Sequence, residues 1–377
     1  MAVQMAGESP PQESGLTCST WYGKHHTEMI WWHTAHFPLW GQADLLARNL
    51  RWYQRRLPEP RELARSRGLR GARRAKMVGP DGRETPGGNP LIVWNQPHLI
   101  YLSELMYREA PSPETLQTYR DLVLDTAECL ASLLWFDAAR GQYVLGPPLW
   151  IVQEIYDPAK GQNPSFELSY WRWTLGIAQQ WRERLGLPRD SHWDDIIAKL
   201  SPPPVKDGKY VALESHADTW DNRASRHDHP EMLMSVGMLP GGPDIDRATM
   251  QRTLSAVLEH WDWETKIWGW DYPMIAMTAA RLGQPGVAIE VLLRDGPNNR
   301  YTANGHCPQR SDVAVRGAAA ETEPPRREIA VYLPAKGAFL SAVALMIAGW
   351  DGCEELHPGF PKDGSWTMQA EGWHRLP

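Results

Sequence analysis

The chain has 377 residues and a formal net charge of −6. That is length for one large domain or two ordinary ones, with an acidic balance that argues against a nucleic-acid or anionic-membrane partner. No apolar run reaches the roughly 18 residues of a membrane span, and residues 1–15 lack the apolar core of a signal peptide, so the cytoplasm is the expected compartment.

In chain order, residues 1–15 are rich in Pro, Ser and Gly, which predicts disorder within an irregular N-terminal segment over 1–22. Residues 25–37 fit a short helix capped by Thr27 and ended by Pro38. A second, amphipathic helix opens at Gly41, and residues 58–67 extend it. Residues 65–83 are basic and Gly-rich and read as a solvated loop. Residues 87–97, GGNPLIVWNQP, form a loop carrying Trp94, Asn95 and Gln96. Its Gly87-Gly88 pair lacks the Lys and Ser/Thr of a phosphate cradle. A helix over 96–108 follows. A longer one over 113–136 has Leu116, Tyr119, Leu122, Val123, Thr126, Ala127, Leu130 and Leu134 at helical spacing.

The Pro- and Gly-bounded loop 148–163 sets Glu154 among Trp150, Ile151, Val152, Ile155 and Tyr156. A carboxyl in apolar surroundings loses hydration and its pKa rises, which is how a proton donor is made at neutral pH. A loop carboxylate bonded to backbone amides would carry the same signature. Asn163 as cap and Pro164 in the first turn start a helix over 165–185, and another spans 191–200. The polar loop 206–229 holds Glu214, Trp220, His227 and His229 and runs into a helix over 230–238. Asp244 or Asp246 caps a helix over 247–260. The loop WDWETKIWGWDY, 261–272, carries Trp268, Trp270 and Asp271. Helices over 273–282 and 287–293 follow. The loop 295–334 contains Asn304 and His306 and a solvated insertion at 315–327. A last helix spans 336–349, and the tail over 354–377 is irregular.

The four cysteines, Cys18, Cys129, Cys307 and Cys353, show no CxxC spacing and read as free thiols, with neither a zinc site nor a disulfide frame. The chain holds 20 tryptophans against 5 phenylalanines. That excess suggests flat, hydrogen-bonding surfaces that stack on sugar rings, beside those that only fill a core. Six helices, near 28–37, 96–108, 165–185, 230–239, 273–282 and 336–349, each follow a loop rich in Trp, His, Asn and acids. The helices between them are joined by Pro/Gly turns. This alternation predicts an all-α fold, an (α/α)6 barrel or six-hairpin toroid over residues 23–353, with the long loops at one mouth. Only five outer helices can be counted; the sixth would precede His25. A seam left open between the helix near Glu28 and that near Val343 would expose apolar surface. A homodimer or an upstream segment would cover it.

The pattern over residues 23–350 resembles (α/α)6-barrel glycoside hydrolases. GKHHTE, 23–28, is similar to the first active-site loop of family-65 disaccharide phosphorylases and hydrolases, and Gln153-Glu154-Ile155-Tyr156 followed by Asn163 to their acid-bearing loop. The resemblance to family-95 fucosidase-like enzymes is spread more widely. His26-Thr27-Glu28 falls where they have His-Thr-Asn, and Glu154 falls at their general acid. Residues 200–220, then His227-Asp228-His229-Pro230, fall on their polar loop and His-rich helix start. Trp268-Gly269-Trp270-Asp271 through Ala279-Ala280-Arg281-Leu282 falls on their Gly-Trp-Ser segment and helix end. Asn304 to His306 falls on their final loop. The chain departs in two places: Pro334-Ala335-Lys336-Gly337 lacks their acidic residue, and Glu28 replaces an Asn. Both families carry a β-sandwich domain ahead of the barrel, so the resemblance implies such an upstream domain.

What the resemblance implies is a glycosidase acting on an oligosaccharide or glycoside by inversion, with Glu154 as general acid. Glu28, Glu214 or Asp271 would be its partner. An inverting pair stands roughly 6.5–9.5 Å apart, leaving room for water. Sugar-binding candidates are His25, His26, Trp94, Asn95, Gln96, Trp150, Trp220, His227, His229, Trp268, Trp270, Asp271, Asn304 and His306. His227 and His229, at i and i+2, do not share a helix face, so no metal is expected, and no cofactor either. Phosphorolysis would draw on loop cations such as Lys266 and Arg300. The same ring also serves sugar epimerases, which use His pairs, and uronate lyases, which use Tyr, His and Arg. A catalytically inactive carbohydrate-binding remnant is the remaining alternative.

Overall fold

The computed structural model describes residues 1–6, 8–14, 20–85, 90–263, 267–309 and 329–377. The Gly87-Gly88 pair, Lys266 and the 315–327 insertion lie outside them. A short helix, α1 (Ala2–Ala6), comes first, then strand β1 (His25–His26). The expected helix over 25–37 is replaced by this strand and two short helices, α2 (Ile30–Thr34) and α3 (His36–Leu39), with Pro38 inside the second. Next come α4 (Ala43–Arg55) and α5 (Pro58–Ser66), separate helices because Pro58 cannot continue the first. Strand β2 (Met77–Val78) pairs antiparallel with β1.

Helices α6 (His98–Glu109) and α7 (Pro113–Ser132) follow. Ser112 caps α7, its Oγ accepting from the Thr115 amide at 3.1 Å. The expected extension of α7 to residue 136 is instead strand β3 (Leu134–Asp137), paired with β4 (Gln142–Leu145). Helices α8 (Ser165–Arg184) and α9 (Ser191–Lys199) come next. The 230–238 helix is shorter than expected, a 3₁₀ turn at Glu231–Ser235. Then follow α10 (Arg247–His260), capped by Asp246, α11 (Asp271–Arg281), α12 (Pro285–Leu292) and α13 (Leu333–Ala348).

Six of these segments form a closed inner ring: α2, α6, α8, the 3₁₀ turn, α11 and α13 each touch the next, and α13 returns to α2. They are apolar nearly all round because both faces are covered; all eleven residues of α11 are buried. Helices α4, α7, α9, α10 and α12 pack outside them. This is the (α/α)6 fold, with five outer helices among the described residues. The seam expected to gape is shut in the inner layer: a Cβ on Gly337 of α13 would overlap the Trp32 carbonyl oxygen of α2. Outside it runs the C-terminal tail. The His374 amide donates to Leu39 O at 3.3 Å, and Trp373 packs edge-on to Trp40. No described helix is long and apolar enough to cross a membrane.

Candidate active site

The loops that precede the six inner segments meet at one end of the ring. A two-residue ribbon begins the site. His25 faces Val78, His26 faces Met77, and the Glu28 amide continues the pairing to Lys76 O at 3.2 Å. Lys76 and Glu28 meet at the mouth, while the Thr27 hydroxyl turns to the Ala75 carbonyl oxygen. Residues 65–83 were expected in solvent; instead Ala72, Arg73, Arg74 and Ala75 are buried and deliver Lys76 into the site.

Lys76 Nζ bonds Glu154 and stands 3.4 Å from Glu28 Oε2. Glu28 Oε1 accepts from Trp94 Nε1 at 2.9 Å. Its backbone oxygen accepts from His98 Nε2 at 2.9 Å, so neutral His98 must present Nδ1 as acceptor to the Tyr170 hydroxyl, 3.0 Å away. Burial holds His98 neutral, its pKa lowered to about 3. Burial also opposes charge on Lys76, but Glu28 and Glu154 outweigh it and raise its pKa, so the ammonium persists. Burial raises the Glu28 carboxyl first; Lys76 pulls against it, and the charge on Glu154 adds to the rise. Glu154 is the accessible member, its side chain 32% exposed against 6% for Glu28. It sits at φ +53°, a left-handed conformation that a residue with a Cβ adopts only where the surroundings impose it.

Beside this trio an aromatic stack crosses the mouth. Trp94 lies 6.3 Å from Trp270, Trp270 stacks on Trp32 at 5.1 Å, and His229 stacks on Trp270 at 4.3 Å. His229 Nδ1 is 2.9 Å from Asp271 Oδ1, and Asp271 Oδ2 accepts from the Trp268 amide at 2.8 Å. Asp228 Oδ1 lies 3.3 Å from the other ring nitrogen of His229. The N-terminal segment, expected to be disordered, also reaches the mouth. Glu13 is buried, 3.4 Å from His26 Nδ1, and its backbone oxygen accepts from the Leu333 amide at 3.0 Å. Burial, then the charge on Glu28, pushes the Glu13 carboxyl well up, and burial pushes His26 well down.

The sequence candidates separate accordingly. Glu28, Glu154, His26, Trp94, His229, Trp268, Trp270 and Asp271 come together. Glu214 does not: its carboxylate is held by Arg140 at 2.9 and 3.1 Å, and by Asn163, at the exposed rim. Asn163 is no helix cap; its Oδ1 accepts from the Leu145 amide at 3.0 Å and ties down β4. Asn95 and Gln96 spend their amides on the ribbon. Asn95 Nδ2 donates to Thr27 Oγ1 at 3.1 Å, and Gln96 bonds both the amide and the carbonyl of Arg74, at 2.8 and 2.6 Å. His25 turns to Pro10 O, 2.8 Å away, and to Trp52. Trp220 donates to Tyr210 O at 2.9 Å under Lys209. His227 contributes its backbone oxygen to Gln153 at 2.9 Å. Asn304 and His306 lie in an exposed turn, with His306 Nδ1 3.2 Å from Lys336 Nζ. Arg300 is paired with Asp295.

Trp94 and Trp270 are fully buried, so they are floor rather than stacking platforms; Trp150 and Trp268 keep partial exposure. Sequence reading missed Lys76 and Glu13. Both lie in stretches whose composition resembles solvated chain. It also missed Glu167 and Glu231, fully buried carboxyls at the starts of α8 and the 3₁₀ turn. Burial raises Glu167 to about 8, and raises Glu231 well above the usual range with the charge on Glu167 adding to the rise.

No protein-family profile matches the chain, and no curated protein does. Solved structures do. A putative kojibiose phosphorylase from the human microbiome superposes with TM-score 0.67 at 10% identity over 91% of this chain and 49% of that one. A wild-type glycosidase superposes with TM-score 0.65 at 14% identity over 89% of this chain and 91% of its own, as does a glycosidase E335A variant in complex with glucose. The chain spans about half the length of the phosphorylase chain it matches. At these identities the likeness establishes the fold, an (α/α)6 ring of the kind glycosidases use.

Proposed function

We propose that this chain is a carbohydrate-active enzyme that cleaves a glycosidic bond at the mouth of its ring. The observation that carries this reading is the convergence of Glu28 and Glu154, from two different loops, on Lys76 beside the Trp94–Trp270–His229 stack. One cation offsets the charge of only one carboxylate where two converge, which leaves a place for a proton. The buried Glu28 favours that proton. Glu154, the exposed partner, is the group with reach to a glycosidic oxygen; it takes the proton over from Glu28 through the Lys76 ammonium that touches both, and delivers it while the C1–O bond breaks. Water adds to C1 from the opposite face and gives its proton to the His229–Asp271 pair, with net inversion. Glu28 is thereby moved from water activation, the role the resemblance suggested, to holding Lys76 and the proton; one of its oxygens accepts from Trp94, the other stands 3.4 Å from Lys76, and its side chain is only 6% exposed.

The test is Glu154→Gln assayed on natural and dinitrophenyl glycosides, with and without phosphate. General acid help is worth roughly 10²–10⁴ in rate. A loss of that size on natural substrates, shrinking on dinitrophenyl glycosides, is expected, with NMR showing the inverted anomer first. Equal losses on both substrates, or a retained anomer, would refute the assignment. A second reading, sugar epimerisation, is favoured by one observation, the His229–Asp271 pair stacked on Trp270. It requires that His229→Ala abolish turnover while Glu154→Gln leaves it intact.

A further inference from the structure

A cavity of about 500 Å³ lies beside the Glu28–Lys76 ribbon, between α4, α5 and residues 73–84. Thr27, Ala75 and Val78 of the ribbon line it. The volume is in the range of small-molecule sites. Two side chains of its wall each hold a buried donor atom without a hydrogen-bond partner among the described residues. The Tyr53 hydroxyl is one and Arg74 Nη2 the other, in side chains only 4% and 5% exposed. The hydroxyl and the guanidinium are close enough to act on one another electrostatically. Buried donors left unpaired cost free energy that a ligand acceptor would recover. Two acceptors on the same lining, Glu59 Oε2 and Glu84 Oε1, are equally without partners. The Trp52 ring adds an apolar wall.

We propose that this cavity is a second ligand site that takes a small polyhydroxylated anion, a sugar phosphate or a sugar acid. The anionic group accepts from Tyr53 and Arg74, the hydroxyls donate to Glu59 and Glu84, and the ring packs on Trp52. The site is distinct from the mouth: Glu28, Lys76 and Glu154 are not among the residues that line it. Its occupant touches Thr27 and Ala75, the chain neighbours of Glu28 and Lys76, so it bears on how firmly the Lys76 trio is set. That coupling rests on the proposed function; binding itself does not.

The experiment is calorimetric titration of the full chain with glucose 6-phosphate and with glucuronate. Tyr53→Phe removes a hydroxyl that bonds nothing among the described residues, so its melting temperature should match the parent. Loss of one hydrogen bond to a charged group predicts binding weaker by about tenfold or more. Glu154→Gln should bind as the parent does. Saturable binding of the phosphate alone identifies a phosphorylated ligand, and of glucuronate alone a sugar acid; either supports the site. Three outcomes overturn it: no saturable binding of either probe, undiminished binding in Tyr53→Phe, or weakening in Glu154→Gln without weakening in Tyr53→Phe, which would put the ligand in the mouth.

Discussion

Glu214 and Glu154 look alike in sequence, each a carboxylate in a loop with aromatic neighbours, and their surroundings part them. Glu214 is gripped at the rim by Arg140 and Asn163, and its pKa falls because these bonds outweigh the rise from burial. Exposed ion pairs contribute about 0–1 kcal/mol. Glu214→Gln should therefore change the melting temperature little and leave turnover within a few-fold of the parent, measured beside Glu154→Gln. Glu167 makes the opposite case. Its carboxyl is fully buried, neither oxygen finds a hydrogen bond among the described residues, and burial raises its pKa to about 8. A carboxyl whose folded pKa lies above its unfolded one contributes stability that is whole below pH 4.5, its ordinary value, and is lost as pH rises through about 8. Glu167→Gln removes that dependence. Its unfolding midpoint should fall less than the parent's between pH 5 and pH 8.5; an equal fall would show that Glu167 does not titrate in this range.

At the scale of elements, the inner ring closes because α13 presents its smallest residues to α2. Gly337 allows a backbone approach that no Cβ permits, since the atom met is the rigid Trp32 carbonyl oxygen. Gly337→Ala must push α13 from α2, overpacking that should cost roughly 1–3 kcal/mol. The urea midpoint should drop, and because Trp32 stacks on Trp270 under the mouth, near-ultraviolet circular dichroism should change with it. An unchanged midpoint would mean the seam is looser than this packing implies. The β1–β2 ribbon is held from outside itself. Asn95 and Gln96 stand just ahead of α6 and clamp Thr27 and Arg74, so the loop leading into one inner helix sets the position of Lys76.

Across the whole molecule, the tail over 350–377 ties together helices that are distant in sequence. Arg281 in α11 is buried and donates through Nη2 to Pro377 O at 2.6 Å, the Asp351 amide donates to Leu376 O at 3.1 Å, and Asp351 receives Arg108 of α6 at 2.6 and 2.8 Å. Removing residues 372–377 would leave the Arg281 guanidinium short of its acceptor at a cost of about 1.5–3 kcal/mol. For a chain longer than 150 residues each kcal/mol is worth roughly 2–4 °C. A melting temperature lower by several degrees is expected by calorimetry; an unchanged one would show that the tail lies on the ring without supporting it.

The ring was legible in the sequence because it is written in local signals: apolar residues at helical spacing from Leu116 to Leu130, a cap at Asp246, and Pro/Gly turns opposite long polar loops. Glu28 and Glu154 were legible as candidates because carboxylates stand out in apolar, Trp-rich loops. Which groups meet was decided only by tertiary structure. Lys76 sits in a stretch as basic as any solvated loop, and Glu13 in one as Pro- and Ser-rich as a disordered tail. Composition cannot distinguish a charge bound for water from one bound for a buried partner, because the difference lies in what packs around it. The same holds for the tryptophans. Trp94 and Trp270 read as platforms from their loops, yet burial makes them the floor. The rise of the Glu28 carboxyl follows from a burial that exists only once the ring has closed.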